Sequence, residues 1–430
     1  MDVAEWLFNR PQYEYEPERP RRRQGPDLLR TGEGAGRLSP RCHLVSEGGY
    51  CVFAADNGQT RSSLGRDVIT LAEPGEYQAP AGVSWFFSGA EGVIGLTAAP
   101  LYRGDCRYSW EFYDGGAVWT CQRGGLTART GLALARLGSG ELRRAELHWD
   151  GEGVLEGELL CYLEPVLCGE RDHLAHPAFS KLFVESRAIP GGVSFRRRPR
   201  GAEEHPVLAA LWDGEGSTFT TSRQAALGRG GLRALAGGGP GPLKGETGAV
   251  LDPCLMVRLP VRLRPGESCA LRLALGVSDR LDAAADTAQR LLEGREEPGG
   301  MLAPIAQRLG LDQVQALGAF ALLRHLASVR PGAEGRPPQC ELWQFGISGD
   351  LPIAAAPLEG GVGEDKIGLW CAQHRFLTRA GWPFDLVFLA EEGGDYRRPL
   401  LTAVREALRA LGAESALGAR GGVHLVDHGE

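Results

Sequence analysis

Residues 342–353, with the sequence LWQFGISGDLPI, contain the pattern in this chain that comes closest to a catalytic motif. Within them, GISGD at 346–350 resembles the G-x-S-x-G nucleophile elbow, in which a serine on a sharp turn acts as the nucleophile. Asp350 occupies the position of the last glycine, where the elbow needs a small residue because a strand and a helix pass close together. The pattern therefore argues against a serine hydrolase. The glycines and the aromatic flank instead predict a turn that leads into a short apolar segment.

Four potential zinc ligands fall within one short stretch, at Cys161, Cys168, His173 and His176. Their spacing, C-x6-C-x4-H-x2-H, is not one of the usual spacings of structural zinc sites. Cys161 also lies in an apolar, strand-like run, where a thiol acts as a small hydrophobic side chain. We therefore expect buried thiols and loop histidines here, and no metal or other cofactor.

Acidic residues near the end of the chain are candidates for glycosidic chemistry, which needs two carboxyl groups held ~5–10 Å apart across a sugar. The candidates are Asp350, Glu364, Asp365 and Asp385. Their spacing along the sequence gives no distances, and acids in loops are usually solvated. No general acid is assigned.

Aromatic side chains are the more suggestive group, because exposed Trp and Tyr rings can stack on sugar rings. Most of them are expected in the core of the fold. The group consists of Trp85, Phe86, Trp110, Tyr113, Trp119, Trp149, Trp343, Phe345, Trp370 and Trp382.

The elements that position these residues fall into regions of different periodicity. Residues 41–280 alternate between apolar and polar with a period near two, and paired glycines such as those at 48–49 and 115–116 separate the runs. Paired glycines between apolar runs are typical of β-hairpins. We find no helical pattern between these runs. The region therefore predicts a large antiparallel sandwich with more than about a dozen strands.

The apolar residues then recur at helical spacing at 281–293, 301–309 and 311–329, and Ser278 is placed to cap the first of these helices. Strand and helix alternate in the last segment, where runs at 382–390 and 421–426 predict buried strands. With a helix predicted at 396–411 between the two strands, the sheet is expected to be small and parallel. Four parts are thus expected: a Pro/Arg-rich N-terminal segment at 1–40, the sandwich at 41–280, a helical linker at 281–335 and a small α/β domain at 336–430.

Composition excludes several kinds of partner. The chain of 430 residues has a formal net charge of −7 and a pI near 5.8, which argues against nucleic acid or an anionic membrane surface. No apolar run approaches the ~18 residues that span a bilayer. The acidic start does not resemble a secretory leader. The ten cysteines are therefore expected to be reduced thiols, and the protein to be cytoplasmic.

Five blocks of the sequence carry a resemblance to a known family. They are HPAFSKLFVE at 176–185, LGRG at 227–230, TGAVLDP at 247–253, LWQFGISGDLPI at 342–353, and FDLVFL at 384–389 with GGV at 421–423. In this order they resemble glycoside hydrolase family 94, once called glycosyltransferase family 36, as it occurs in cyclic β-1,2-glucan synthases. The resemblance implies a mainly β chain with an α/β tail. It would comprise a galactose-mutarotase-like antiparallel β-supersandwich, a helical linker and a small α/β domain.

The resemblance also implies an activity and its place in the chain. Members of the family carry out inverting, phosphate-dependent cleavage or synthesis of β-glucosidic bonds, or adjust glucan chain length. Their catalytic Asp lies in an (α/α)6 barrel. The helices expected at 281–335 are too few for such a barrel, so the family's catalytic residues have no position here to be carried onto.

Three hypotheses about function follow. The first is a carbohydrate-binding or scaffolding part of a family 94-type enzyme, which is not catalytic alone. It would bind a β-glucan oligosaccharide, and it would be either a subunit that works with a separate chain carrying the barrel or the remnant of a longer open reading frame. Its candidate carbohydrate contacts are Trp343, Asp350, His176 and Phe179. The alternative is an autonomous glycosyltransferase or phosphorylase acting on β-glucans, with its site near Trp343 and Asp350. The third is a purely structural interaction module.

Overall fold

The computed structural model describes residues 26–37, 40–70, 82–199, 201, 204–229, 231, 243–328, 338–358, 363–390 and 398–427. Most of the segment expected at 1–40 lies outside these residues. The described chain divides into two compact units, and apart from residues 26–28, which group with the second unit, the division falls between Met301 and Leu302. It lies inside the segment 281–335 that was expected to be a linker.

The first unit consists mainly of three antiparallel sheets. The largest has nine strands, in the spatial order β1 (Arg30–Glu33), β8 (Arg107–Tyr113), β9 (Gly116–Arg123), β10 (Leu126–Leu134), β11 (Ser139–Trp149), β19 (Glu267–Ser278), β16 (Val207–Trp212), β15 (Gly192–Arg197) and β14 (Val184–Ile189). The second has the order β17 (Thr218–Ser222), β18 (Pro253–Leu263), β12 (Leu155–Leu163), β6 (Ser84–Gly89) and β7 (Gly92–Gly95). The third has the order β13 (Pro165–Gly169), β5 (Asp67–Thr70), β4 (Thr60–Leu64), β3 (Tyr50–Ala55) and β2 (Cys42–Glu47).

The core of the first unit lies between these sheets, and it follows from the alternation in the sequence. In β12, for example, Leu159, Cys161 and Leu163 point into the main apolar cluster, together with Leu271 and Leu273 of β19. Each inward residue alternates with one on the other face, as expected for strands that bury one face. The predicted antiparallel sandwich is therefore confirmed.

The outer face of the nine-stranded sheet is partly covered by helix α4, Leu281–Leu292. Ala288 and Leu291 pack there against Leu142 of β11. The helix lies so close to β19 that a β-carbon on Gly276 would overlap the carbonyl oxygen of Ala284. Glycine at this position therefore sets the depth at which the helix packs.

Two predictions about this unit are wrong. Ser278 does not cap α4; it ends strand β19, and the N-cap residue is Arg280, which makes no side-chain capping bond. The sandwich region also contains short helices, which are too short to show a helical period in the sequence. They are α1 (Glu170–Ala175), α2 (Pro177–Lys181) and α3 (Arg223–Leu227).

The second unit is a small α/β domain, preceded by helices α5 (Leu302–Arg308) and α6 (Gln313–Ser328). A 3-10 helix at Gln339–Phe345 precedes the sheet. The sheet and its helices are β20 (Ile353–Pro357), α7 (Glu364–Arg379), β21 (Asp385–Ala390), α8 (Pro399–Ala410), a 3-10 turn (Glu414–Ala416) and β22 (Val423–Asp427). Both strand pairs are parallel, with β21 in the centre. The predicted fold class, mainly β with an α/β tail, is confirmed.

The ten cysteines are all described, and none forms a disulfide. Seven of them are buried, Cys106 and Cys269 are half-buried, and Cys340 is exposed. Within the described residues no helix is both long enough and apolar enough to cross a membrane.

Candidate functional site

Trp343 is the most exposed of the aromatic residues singled out in the sequence. It lies in the 3-10 helix Gln339–Phe345, and 63% of its surface is accessible, whereas Trp85, Trp110 and Trp119 are buried in the sandwich. Phe345, in the same helix, is also exposed. No residue of this helix is buried. Two aromatic rings are thus presented to solvent on one short element.

The backbone around Trp343 is anchored although its ring is exposed. Ile347 is buried and packs with Val387 and Val426 of the parallel sheet, and Leu342 packs against the same cluster. Gly346 follows the 3-10 helix with a φ of 71°, a left-handed conformation that glycine adopts without strain. The turn that carries the exposed ring is therefore fixed, so that binding a ligand would cost little conformational entropy in the protein.

Polar groups surround the base of the Trp343 ring. The indole Nε1–H donates to the carbonyl oxygen of Ser348 at 3.4 Å. Gln339 Nε2 donates to the same carbonyl at 2.7 Å and to Asp350 Oδ1 at 3.1 Å. The other carboxylate oxygen of Asp350 lies 3.8 Å from Arg420 Nε. The indole is thus linked through the Ser348 carbonyl to the Gln339 amide, which binds the Asp350 carboxylate with Arg420 beside it. An aromatic face with polar groups of this kind can bind both the face and the edge of a polar ring.

The same geometry excludes a nucleophile elbow. Ser348 follows a 3-10 helix and precedes strand β20, whereas the elbow requires a strand before the serine and a helix after it. Ser348 Oγ accepts a hydrogen bond from the backbone N–H of Asp350 at 3.3 Å, which is a local turn contact. The sequence-based argument against a serine hydrolase is consistent with this arrangement.

The other two predicted contacts, His176 and Phe179, belong to the first unit. His176 lies between helices α1 and α2, and both side chains are exposed. Phe179 makes an edge-to-face contact with Phe183 at 5.2 Å between ring centroids. The structure therefore brings Trp343 together with Asp350 in the second unit, and places His176 and Phe179 in the first unit.

Lys181, two residues after Phe179, belongs to an ion cluster that the sequence did not suggest. Lys181 Nζ is 2.9 Å from both Glu164 Oε2 and Asp252 Oδ1. Arg223 lies 3.3 Å from Glu164 and 3.6 Å from Asp252. Burial opposes the charge on Lys181, but the two carboxylates outweigh it and raise its pKa. Glu164 and Asp252 each lie beside both cations. The cluster can therefore hold together the chain segments to which its four residues belong.

Tyr162 is the third partner of Glu164 in this cluster. Tyr162 donates its hydroxyl proton to Glu164 Oε1 at 2.6 Å. Burial, followed by the neighbouring Cys254 and Glu164, raises the pKa of Tyr162 well above its ordinary value, so the hydroxyl stays protonated. Glu164 is therefore a buried acceptor with three donors around it.

The cluster also explains why two of the sequence blocks occur together. Lys181 belongs to the block at 176–185 and Asp252 to the block at 247–253, and the two residues form an ion pair. Ser186 Oγ, just after the first block, accepts a hydrogen bond from the backbone N–H of Gly248 in the other. Sequence reasoning missed these residues, although an isolated acid between the apolar strands β12 and β13, Glu164, was a usable signal.

The potential zinc ligands do not form a metal site. Cys161 is part of the core, and the Cys168 thiol lies 3.9 Å from Ser180 Oγ. His173 Nδ1 contacts the same hydroxyl at 3.3 Å, while His176 is exposed. Throughout the described part of the chain, no three His, Cys, Asp or Glu residues are grouped so that they could hold a metal ion.

The remaining candidate acids are not paired with Asp350. Glu364 and Asp365 are exposed in the first turn of α7. Asp385 is fully buried, and its Oδ1 accepts a hydrogen bond from the backbone N–H of Gly421 at 2.6 Å. His424 Nε2 lies 3.3 Å from the same oxygen. Asp385 thus connects the sequence block at 384–389 with the block at 421–423 through a hydrogen bond. This contact indicates a structural role for Asp385.

Comparison with known proteins agrees with this architecture. The sequence model of the glycosyl hydrolase 94 supersandwich domain matches residues 29–293, and the chain belongs to this family. The resemblance noted in the sequence is therefore confirmed. The cyclic beta-(1,2)-glucan synthase NdvB of Rhizobium meliloti (strain 1021) is 27% identical over 402 residues. The alignment covers 86% of this chain and 14% of that protein, so the chain spans a small part of the length of this relative.

Solved structures are only weakly similar to this chain. A putative kojibiose phosphorylase from the human microbiome is 6% identical, with a TM-score of 0.38 over 71% of this chain and 42% of that chain. A putative aldose 1-epimerase from Escherichia coli K12 is 10% identical, with a TM-score of 0.34 over 57% of this chain and 99% of that chain. Similarities of this size support no argument about function.

Proposed function

We propose that this chain is a carbohydrate-binding part of a family 94-type β-glucan enzyme and that it binds an oligosaccharide at the Trp343 surface. The observation behind the proposal is the pairing of an exposed indole ring with an anchored turn. Trp343 exposes 63% of its surface, whereas Ile347, four residues later, is buried in the sheet cluster. Exposed aromatic rings on fixed backbone mark binding sites, because a large apolar surface in water has a cost that binding removes.

The chemistry of the surface fits a sugar. A pyranose ring has an apolar face of C–H groups and an edge of hydroxyls. The indole of Trp343 would stack on the apolar face. The amide of Gln339 and the carboxylate of Asp350, which already hydrogen-bond to each other, would bind hydroxyls at the edge. Arg420, beside Asp350, would supply a further donor.

The family and the relative suggest the class of ligand. A relative of this chain is a cyclic β-1,2-glucan synthase, which supports a β-linked glucose oligosaccharide as the ligand. A separate chain with the (α/α)6 barrel is proposed as the catalytic partner. We also propose a cytoplasmic location, which ten cysteines without a disulfide support. In this proposal the sandwich serves as the scaffold, and the α/β domain provides the residues that contact the sugar.

Isothermal titration tests the binding proposal. The full chain would be titrated with β-1,2-, β-1,3- and β-1,4-linked glucose oligosaccharides of equal length. We expect heat with the β-1,2 series and at least about a tenfold loss of affinity in Trp343→Ala, because the stacking surface is removed. Val314→Ala is the matched control, since Val314 is 79% exposed in the same unit and should leave binding unchanged. Binding that is equal in wild type and Trp343→Ala would refute the proposed site.

The autonomous-enzyme alternative is tested separately. Asp350 accepts a hydrogen bond from Gln339 Nε2 at 3.1 Å and lies 3.8 Å from Arg420 Nε. Purified protein would be assayed for phosphate release from glucose 1-phosphate with a β-glucan acceptor. Turnover that is lost in Asp350→Ala would support the alternative. Absence of turnover together with oligosaccharide binding would support the binding role.

A further inference from the structure

Two cysteine thiols lie next to each other on the inner face of the nine-stranded sheet. Tyr108 of β8 pairs with Cys121 of β9, and directly opposite residues of an antiparallel pair lie on the same face. Cys106 comes two positions before Tyr108 and therefore continues that face. All three side chains pack against the main apolar cluster of the first unit, in agreement with this placement. The two thiols are close enough to share a hydrogen bond.

The two thiols differ in their access to solvent. Cys106 is half-buried, whereas Cys121 is only 1% exposed. A small solute can therefore reach the sulfur of Cys106, while the core shields the sulfur of Cys121. In redox-sensitive pairs an accessible thiol is oxidised first and a neighbouring thiol then forms a disulfide with it. The two positions match these two roles.

The contact between the thiols also decides which of them ionises. The Cys121 thiol donates a hydrogen bond to the Cys106 sulfur and lowers the pKa of Cys106 to about 7, more than burial raises it. The same hydrogen bond, followed by burial, raises the pKa of Cys121 well above its ordinary value. Arg123 and Asp105, an ion pair at 2.7 Å, act on Cys106 in opposite directions. Near neutral pH Cys106 is therefore partly a thiolate, the nucleophilic form, and Cys121 keeps its proton.

Three other cysteines of the chain lack this combination of access and ionisation. Burial raises the pKa of Cys51 and of Cys371 to about 12, so that both stay protonated at neutral pH. Cys269 is half-buried like Cys106 and belongs to β19 of the same sheet. Burial nevertheless raises the pKa of Cys269 to about 11. Cys269 is therefore a matched control for the reactivity of Cys106.

A bond between the two sulfurs requires a small movement of Cys106. Diagonal neighbours on paired strands are about 7–8 Å apart, and a disulfide needs roughly 4.4–6.8 Å between its α-carbons. Cys106 precedes the first residue of β8 and lies outside the strand pairing. Its backbone N–H makes only a long turn contact, 3.4 Å from the carbonyl oxygen of Arg103. Cys106 can therefore approach Cys121 without breaking the pairing of β8 with β9.

We propose that Cys106 and Cys121 form a reversible disulfide when hydrogen peroxide oxidises Cys106. The Cys106 thiolate attacks one peroxide oxygen and the O–O bond breaks, which leaves a sulfenic acid; the departing hydroxide takes up the proton that Cys106 had released and becomes water. The Cys121 sulfur then attacks the Cys106 sulfur, the S–O bond breaks, and the hydroxyl group leaves with the Cys121 proton as water. The two thiols lose two electrons in total, and the peroxide is reduced to two waters. The proposal is independent of sugar binding at Trp343.

Peptide mapping of the oxidised full chain tests this proposal. The native protein would be treated with a small excess of hydrogen peroxide at neutral pH, and the remaining thiols would be blocked with N-ethylmaleimide in denaturant before digestion. We expect mass spectrometry to show the peptides of Cys106 and Cys121 linked and lighter by two hydrogens, and dithiothreitol to separate them. In Cys121→Ala the sulfenic acid of Cys106 should persist and be trapped by dimedone. Cys269→Ala, the matched control, should form the disulfide like the wild type.

Three results would overturn the proposal. The first is a native wild type in which peroxide leaves Cys106 and Cys121 unlinked. The second is equal rates of alkylation of Cys106 and Cys269 by iodoacetamide in the native wild type, where we expect Cys106 to react at least about tenfold faster. The third is folded Cys121→Ala protein in which dimedone does not label Cys106. Circular dichroism checks the folding of each variant, and the first two results are obtained on the wild type, so that they decide the question if a variant unfolds.

Discussion

Replacing Lys181 with Met tests whether the ion cluster holds the segment 170–183 to the sandwich. The change keeps an unbranched side chain of similar length but removes a charge that lies 2.9 Å from two carboxylates. Among the described residues Glu164, whose side chain is 6% exposed, would keep Tyr162 and Arg223 as partners. The remaining partners still satisfy part of the hydrogen-bonding capacity of the carboxylate. We therefore expect the free energy of unfolding to fall by about 2–3 kcal/mol, which is less than the roughly 3–5 kcal/mol typical of broken buried pairs.

The assay is urea unfolding followed by tryptophan fluorescence, with the free energy of unfolding taken by linear extrapolation. Arg262→Met is the matched control. Arg262 lies 2.9 Å from Glu156, the same distance as in the cluster, but both side chains are exposed. Since exposed pairs contribute little, this variant should lose less than about 1 kcal/mol. A double-mutant cycle of Lys181→Met with Glu164→Gln should give a coupling energy of about 1 kcal/mol or more.

Equal effects of Lys181→Met and Arg262→Met would refute the reasoning, because burial would then make no difference to the two pairs. A coupling energy near zero would show that Lys181 acts through Asp252 alone.

Two further predictions concern packing and pH. Gly276→Ala should destabilise the protein by about 2–3 kcal/mol, since the added methyl group would overlap the backbone of α4 at Ala284. Gly104→Ala is the control, because its methyl group would meet no atom within 4 Å. Thermal melts should show little change in the stability of this control. Burial lowers the pKa of His374 to about 4, below its usual 6.5, so its contribution to stability is complete above pH 6.5 and is lost as the pH falls toward 4. Between these pH values the free energy of unfolding should fall by about 1.4 kcal/mol for each pH unit. In His374→Gln the plot of stability against pH, measured by thermal melts, should be flatter by that amount. An unchanged slope in the variant would contradict the prediction.

The sandwich could be predicted from the sequence because alternation is a local property of each strand. The order of the strands could not. β11 pairs with β19 and β12 with β18, although roughly a hundred residues or more separate the partners, and no local pattern encodes such pairings. The short helices α1 and α2 escaped prediction for a related reason, since five or six residues are too few to establish a helical period.

The site was predictable only in part. The block at 342–353 identified Trp343 and Asp350 as neighbours, but sequence does not show that Trp343 is exposed while Trp85 and Trp110 are buried. The partners within the ion cluster were not predictable, although the isolated acid Glu164 between the apolar strands β12 and β13 was a usable signal. Lys181 and Glu164 are 17 positions apart, and Asp252 comes from a later loop, so the three meet only because β13, α2 and β18 fold against one another.

The most direct test of the central claim is the change in β-glucan affinity on removing one ring. A β-1,2-linked glucose oligosaccharide would be titrated into wild type, Trp343→Ala and Val314→Ala under identical conditions. The proposal predicts equal affinity in wild type and Val314→Ala, and at least about a tenfold loss in Trp343→Ala. No heat with any β-glucan in the wild type, or full affinity in Trp343→Ala, would contradict it.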